Sequence, residues 1–226
     1  MCWRCMRPKT CCFCDDIVPM ETATRFEILM HPREFKRTKL GTGLLTHLCL
    51  SNSALRVGLK FEDDRAVRSL MDDPGNFPVL LFPGRNARNL SNGELSGAEL
   101  AGRRLIVFIL DGTWSCARKM LKLNPCLQNL PRLMFTPSLP SRFVIKQQPQ
   151  EGCLATLEAT HELLTLLARS GLDGYPQPDL LLSIFMKMQE FQLRCAADPT
   201  TPGYRRGTFS EPGERRLPRK HRNYFS

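Results

Sequence analysis

RRLIVFILDGTWSCARKM, residues Arg103 to Met120, is the stretch that decides the fold class. Leu105 to Leu110 is the most apolar run in the chain, rich in β-branched residues and too short to cross a membrane, so it predicts a strand buried on both faces. The run ends on a carboxylate, Asp111. Gly112-Thr113-Trp114 supplies a turn, and the composition from Ser115 onward predicts a helix with Ser115 as its N-cap. Open α/β sheets place ligands outside the carboxyl end of such a strand. The same pattern equally fits an ordinary strand-turn-helix with Asp111 as a turn residue, and composition alone does not choose between them.

The flanking segments extend the pattern. Arg25–Met30 predicts a strand, followed by His31-Pro32-Arg33-Glu34 and the basic run Lys36-Arg37-Thr38-Lys39. Gly41-Thr42-Gly43 leads into a helix through Cys49; its backbone N–H groups suit an anion, or it is simply a turn. His31 reads as a strand-end hydrogen-bonding residue. Leu55–Phe61 predicts a strand, Asp63–Met71 a helix and Pro78–Phe82 a second buried strand, a strand-helix-strand unit that argues for a mostly parallel sheet. Asn86–Gly102 reads as loop, the helix after Asp111 ends near Asn124-Pro125, and Leu133–Thr136 is a weaker strand. Cys153–Arg169, stopped by Gly171, and Pro178–Cys195 both predict amphipathic helices.

Composition narrows the partner. The 226 residues are 42% hydrophobic and 24% charged, as expected of a globular protein, but the net charge of +10 attracts polyanions, and nucleic acid is the partner it points to. No apolar run approaches membrane-spanning length and MCWRCMRPK lacks an apolar segment of the secretory kind, so the chain is expected in the cytoplasm, with no membrane and no protein partner inferred.

Five of the ten cysteines fall within the first fourteen residues. Cys2-x2-Cys5 and Cys12-x-Cys14 are two close thiolate pairs on a short loop, the donor set of a tetrahedral structural Zn²⁺. Cys11 is an alternative to Cys12, and a cluster of unliganded thiols is the plainer reading. Four protein ligands leave no open position for catalysis; Arg4, Arg7 and Lys9 surround this knuckle. At the other end, residues 204–226 carry seven Lys/Arg against two Glu, a net +5, interleaved with Tyr204, Phe209, Tyr224 and Phe225. That mixture suits RNA phosphate and base stacking, or a solubilising tail. The expected division is a zinc knuckle over 1–20, an α/β domain over 21–198 and a basic aromatic tail over 199–226.

The ordered motifs resemble the DTW-domain family, named for a D-x-T-W signature and comprising tRNA-uridine aminocarboxypropyltransferases. They are Cys2, Cys5, Cys12 and Cys14; His31-Pro32-x-Glu34; Thr42-Gly43; Phe82-Pro83-Gly84; the run from Leu110 to Met120; and Thr156-x-Glu158-Ala159. Leu40-Gly41 stands where the family often has Thr-Asn, Ala155 where it often has Ser, and Lys146 where an Arg is common. The resemblance implies a SPOUT-like fold with a C-terminal trefoil knot, and a pocket for S-adenosylmethionine, whose 3-amino-3-carboxypropyl group passes to N3 of a tRNA uridine with release of 5′-methylthioadenosine.

On that resemblance Asp111 is the expected catalytic group, as base or as a holder of the donor's amino group. Pro83, Gly84, Leu110, Gly112, Thr113, Trp114, Thr156 and Glu158 are expected at the cofactor, and Arg37, Lys39, Arg118, Lys119, Arg142 and Lys146 at RNA phosphate. Partial burial beside Trp114 is expected to raise the Asp111 pKa. A methyltransferase using the same donor on RNA, and a non-enzymatic zinc-containing RNA-binding protein, are the alternatives.

Overall fold

A computed structural model of the chain describes residues 1–36, 41–145 and 152–197, and the side chain of Cys11 is outside that set. Arg37, Lys39, Lys146 and the basic tail likewise lie outside the described residues. The elements in order are β1 (Arg25–Met30), α1 (Pro32–Phe35), α2 (Thr42–Cys49), β2 (Ser53–Val57), α3 (Arg65–Asp72), β3 (Asn76–Leu81) and β4 (Arg88–Asn89). They continue with α4 (Gly97–Leu100), β5 (Arg104–Asp111), α5 (Trp114–Lys122), α6 (Pro125–Gln128), β6 (Arg132–Met134), α7 (Thr156–Arg169) and α8 (Leu180–Ala197). Among the described residues six strands form one sheet in the order β2-β1-β5-β3-β6-β4, every pairing parallel.

The alternation of side chains along β5 sorts the two faces. Leu105, Val107 and Ile109 join a core built with α2, α7 and α8, through residues such as Leu45, Leu163 and Phe185. Ile106, Phe108 and Leu110 meet Val67 of α3, Ala117, Met120 and Leu121 of α5, and Leu127 of α6 on the other side. Phe26, Ile106 and Phe108 have no exposed surface, and removing such an aromatic would cost about 3–5 kcal/mol. By the same two-residue period, Asp111 falls on the α2/α7 face.

Local signals explain the element ends. Asp64 caps α3, its Oδ1 accepting from the Ala66 and Val67 N–H groups at 3.0 Å each. The strand expected over Leu55–Phe61 instead runs Ser53–Val57, because Phe61 turns into the core, where its N–H donates to Asn124 Oδ1 at 2.5 Å. The N-cap of α5 is Thr113 and not Ser115. Its Oγ1 accepts from the Cys116 N–H at 3.4 Å, and the cap sits two residues earlier than expected, with the helix starting at Trp114. Nor is Asn86–Gly102 plain loop: it contains the short β4 and the turn α4, opened by a reciprocal capping box between Ser96 and Glu99.

The N-terminal knuckle is not a separate body. Phe13, Ile17 and Met20 belong to the same core as α2, α7 and α8. Met20 is hydrogen-bonded on both sides, its N–H to the Cys49 carbonyl and its carbonyl to the Ser51 N–H, each at 3.0 Å. Lys187 of α8 pairs with Asp16 at 2.7 Å.

Candidate active site at the carboxyl edge of the sheet

Asp111, the last residue of β5, is 5% exposed. Its Oδ1 accepts the Thr156 hydroxyl at 2.5 Å, joining the end of β5 to the first turn of α7 across 45 residues of sequence. On its other side lies Gly43, in the first turn of α2. A Cβ built on Gly43 would stand 2.5 Å from Asp111 Cγ and 2.6 Å from Oδ2, so only glycine admits the carboxylate there. The Thr156 hydroxyl and the first turn of α2 thus flank the Asp111 carboxyl from two sides.

His31 ends β1 alongside. Its N–H donates to the Asp111 carbonyl at 2.8 Å, and its Nδ1 accepts from the Arg33 N–H at 3.1 Å, capping α1. Burial, with the Arg33 cation next in effect, pushes its imidazole below the usual range, and acceptance at Nδ1 places the proton of the neutral ring on Nε2. Composition hinted at this capping role.

Glu158, at the third position of α7, is also 5% exposed. Its two oxygens accept from the Ala155 N–H at 2.9 Å, the Ser141 hydroxyl at 2.7 Å and the Arg142 N–H at 2.6 Å. The carboxylate thereby ties the loop after β6 to the start of α7. Only one half of a capping box forms, since Ala155 has no side-chain oxygen to return the bond. Gln189 of α8 continues the fastening by accepting the Val144 N–H at 2.7 Å.

Beside this anchor lies an open-sided cleft of about 90 Å³ lined by Leu81, Phe82, Pro83, Trp114, Leu133, Met134, Phe135, Pro137, Gly152, Leu154 and Ala159. Phe82 and Trp114 meet edge-on at 5.7 Å between ring centroids. Such aromatic walls suit a flat heterocycle. Of the residues expected at the cofactor, Pro83 and Trp114 line the cleft. Gly112 and Thr113 form the turn below Trp114, Leu110 is buried in the α5 core, and Thr156 and Glu158 hold the Asp111 carboxylate and the Ser141–Arg142 loop. Gly84 follows the lining residue Pro83.

Sequence reasoning did not pick out the walls contributed by Leu133, Met134, Phe135 and Gly152–Leu154. These come from the two ends of a loop, and no local motif marks them. Of the expected RNA contacts, Arg142 and Lys119 are exposed and Arg118 is half-buried. Trp3, on the knuckle, is 85% exposed.

Cys2, Cys5, Cys12 and Cys14 converge, all four Sγ atoms lying within 4.8 Å of one another, with Cys2–Cys14 at 3.7 Å and Cys5–Cys12 at 3.6 Å. A tetrahedron of thiolates about 2.3 Å from Zn²⁺ has edges of about 3.8 Å, so the donor set fits that ion. Arg7, 2% exposed, lies with its guanidinium 5.1 Å above the Phe13 ring.

Among the described residues no helix is long and apolar enough to cross a membrane. The chain is similar to tRNA-uridine aminocarboxypropyltransferase 2 of Mus musculus, 30% identical over 175 residues that make up 75% of this chain and 57% of that protein. It is 32% identical to the Drosophila melanogaster protein of the same name over 173 residues, 74% of this chain and 66% of that one. With tRNA-uridine aminocarboxypropyltransferase A of Arabidopsis thaliana it shares 24% over 221 residues. The chain spans 57–66% of the length of the animal relatives. No solved structure matches it. The DTW domain model matches residues 1–193, knuckle and sheet together, and the chain belongs to the DTW domain family.

Proposed function

We propose that this chain transfers the 3-amino-3-carboxypropyl group of S-adenosylmethionine to N3 of a tRNA uridine, releasing 5′-methylthioadenosine. The observation that carries the reading is the aromatic-walled cleft at the DTW strand end, in a chain similar to proteins named for tRNA-uridine aminocarboxypropyl transfer. A SPOUT-like topology with a C-terminal trefoil knot belongs to the proposal. It is supported by the return of the chain after β6 to the carboxyl edge of β5, where Gly152, Leu154 and Ala159 wall the same cleft as Phe82 and Trp114.

When bound, the donor supplies a carbon already activated by its sulfonium. The N3–carbon bond forms as the carbon–sulfur bond breaks, methylthioadenosine leaves neutral and the N3 proton passes to Asp111 or to solvent at the open side of the cleft. The protein's part is orientation and exclusion of water. Phe82, Pro83 and Trp114 hold the adenine side, with the Gly112-Thr113 turn and the backbone of Gly84 and Leu110 at the strand ends. Glu158 fixes the loop that closes the cleft. Asp111, held between Thr156 and the first turn of α2, is the proposed catalytic group, either positioning the donor's ammonium or taking the N3 proton.

The exposed cations Lys119 and Arg142, with Arg118, are the proposed phosphate contacts near the cleft; Arg37, Lys39 and Lys146 are proposed with them from sequence. The knuckle is proposed to hold structural Zn²⁺ on Cys2, Cys5, Cys12 and Cys14. A cytoplasmic location goes with the tRNA substrate.

Incubation of the protein with unmodified tRNA and S-adenosylmethionine tests the reaction. Methylthioadenosine and an aminocarboxypropylated uridine, seen by mass spectrometry, are the expected products. S-adenosylhomocysteine with a methylated base makes the protein a methyltransferase, and tRNA binding without consumption of the donor makes it a binding protein.

A further inference from the structure

A second pocket opens on the same sheet edge, beyond β3. It has a volume of about 470 Å³, is open to solvent, and is lined by Arg85, Asn86, Gln128, Asn129, Leu130, Pro131 and Arg132. The lining contains two guanidiniums and three carboxamides and no carboxylate. Neither arginine forms an ion pair with a described carboxylate. Two clustered cations left unneutralised repel one another, an arrangement that an incoming anion relieves.

The pocket adjoins the cleft through one contact. A Cβ on Gly84 would stand 2.8 Å from Arg132 Nη1, so the guanidinium lies against the bare backbone of the residue after Pro83, itself a wall of the cleft. The β3–β6 register pairs Arg132 with Leu80, on the α5/α6 face, from which its side chain reaches up to the strand end.

We propose that this pocket binds a backbone phosphate of the substrate RNA near the target nucleotide, Arg132 and Arg85 gripping the oxygens and the Asn86 and Asn129 amides completing the shell. The proposal rests on the tRNA reading above. Its chemistry is that of a phosphodiester: forked guanidiniums match phosphate oxygens, and amides tolerate either oxygen as acceptor. The pocket's polar lining also sets it apart from the apolar cleft that takes the donor.

Affinity for unmodified tRNA, measured with the full-length protein across a series of salt concentrations, tests it in the wild type, Arg85→Gln, Arg132→Gln and Arg132→Lys. Each Gln variant is expected to weaken tRNA binding by about 3- to 30-fold and to lower the log–log salt slope by about one unit, with S-adenosylmethionine affinity by calorimetry unchanged. Arg132→Lys should keep the slope while losing part of the affinity. Unchanged tRNA affinity and slope in both Gln variants would overturn the proposal. So would loss of donor affinity with tRNA binding intact, which would make the pocket a subsite for the donor's carboxylate. A wild type that binds no tRNA overturns the functional reading itself, and this inference with it. Thermal melts matching the wild type exclude misfolding; Arg85, exposed in its loop, supplies that control independently of β6.

Discussion

The carboxylate of Asp111 occupies the space that a side chain on Gly43 would need, at 2.5 Å from the nearest carboxyl carbon. Strand end and helix start, 68 residues apart in the chain, are thus cut to fit each other. Gly43→Ala should cost about 1–3 kcal/mol in urea unfolding, the usual penalty for overpacking. In an Asp111→Ala background the same substitution should cost under about 1 kcal/mol, because the obstructing group is gone. Equal costs in the two backgrounds would mean that the two residues do not share this space.

The held carboxylate also makes a kinetic prediction. If Asp111 positions the pocket, Asp111→Asn and Thr156→Val should each lower kcat about 10- to 100-fold while the acid limb of the pH–rate profile stays where it is. A proton acceptor would behave differently: Asp111→Asn alone would remove that limb.

Glu158 saturates three donors that belong to the Ser141–Arg142 loop and the α7 start. Glu158→Ala would strand them and should destabilise the fold by about 2–4 kcal/mol, with a rise in the KM for the donor as the loop loosens. Conversely, Ala155→Ser should supply the missing half of the capping box and raise stability by about 0.5–1 kcal/mol, read as a higher urea midpoint. A midpoint that stays put or falls would show that the hydroxyl finds no partner there.

Two histidines away from the site set an acid limit. Burial pushes both His47 and His161 below the ordinary histidine value of 6.5, and His161 Nδ1 is 2.8 Å from the Tyr175 hydroxyl. In the unfolded chain these rings protonate first as the pH falls through 6.5, so their neutral burial stabilises fully above that pH and the benefit is lost below it. The melting temperature should drop between about pH 7 and 5, and His161→Gln should flatten part of the slope. An unaltered slope would place the titrating groups elsewhere.

Much of this architecture was legible because it is periodic. Arg25–Met30 is a strand at the limits read from the sequence, β5 follows its apolar run, and the helix expected over Asp63–Met71 forms as α3 with Asp64 as its cap. Thr113 displaced Ser115 as a cap because both hydroxyls suit the role and only the backbone bend at Gly112 decides which reaches a free N–H. The fit of Gly43 to Asp111, and the pocket shared by Arg85 and Arg132, join segments distant in sequence, where no spacing rule reaches. Likewise Glu158 was legible as part of a motif, but its service to the Ser141–Arg142 loop depends on a fold-level meeting of two loops.

The cysteine cluster fixes a testable metal content. One Zn²⁺ per chain is expected by elemental analysis, and Cys14→Ser should lose it and melt lower, since Phe13 and Ile17 leave the main core when the knuckle opens. Full retention of metal would remove Cys14 from the ligand set.

Helix α2 gives the cysteine cluster a longer reach. Its far end, Cys49 and Leu50, is clasped by the knuckle through Met20, and its near end cradles Asp111 at Gly43. A rigid eight-residue rod carries slack at one clasp directly to the other, so the order of the N-terminal thiols bears on the seat of the Asp111 carboxylate at the opposite end of the helix.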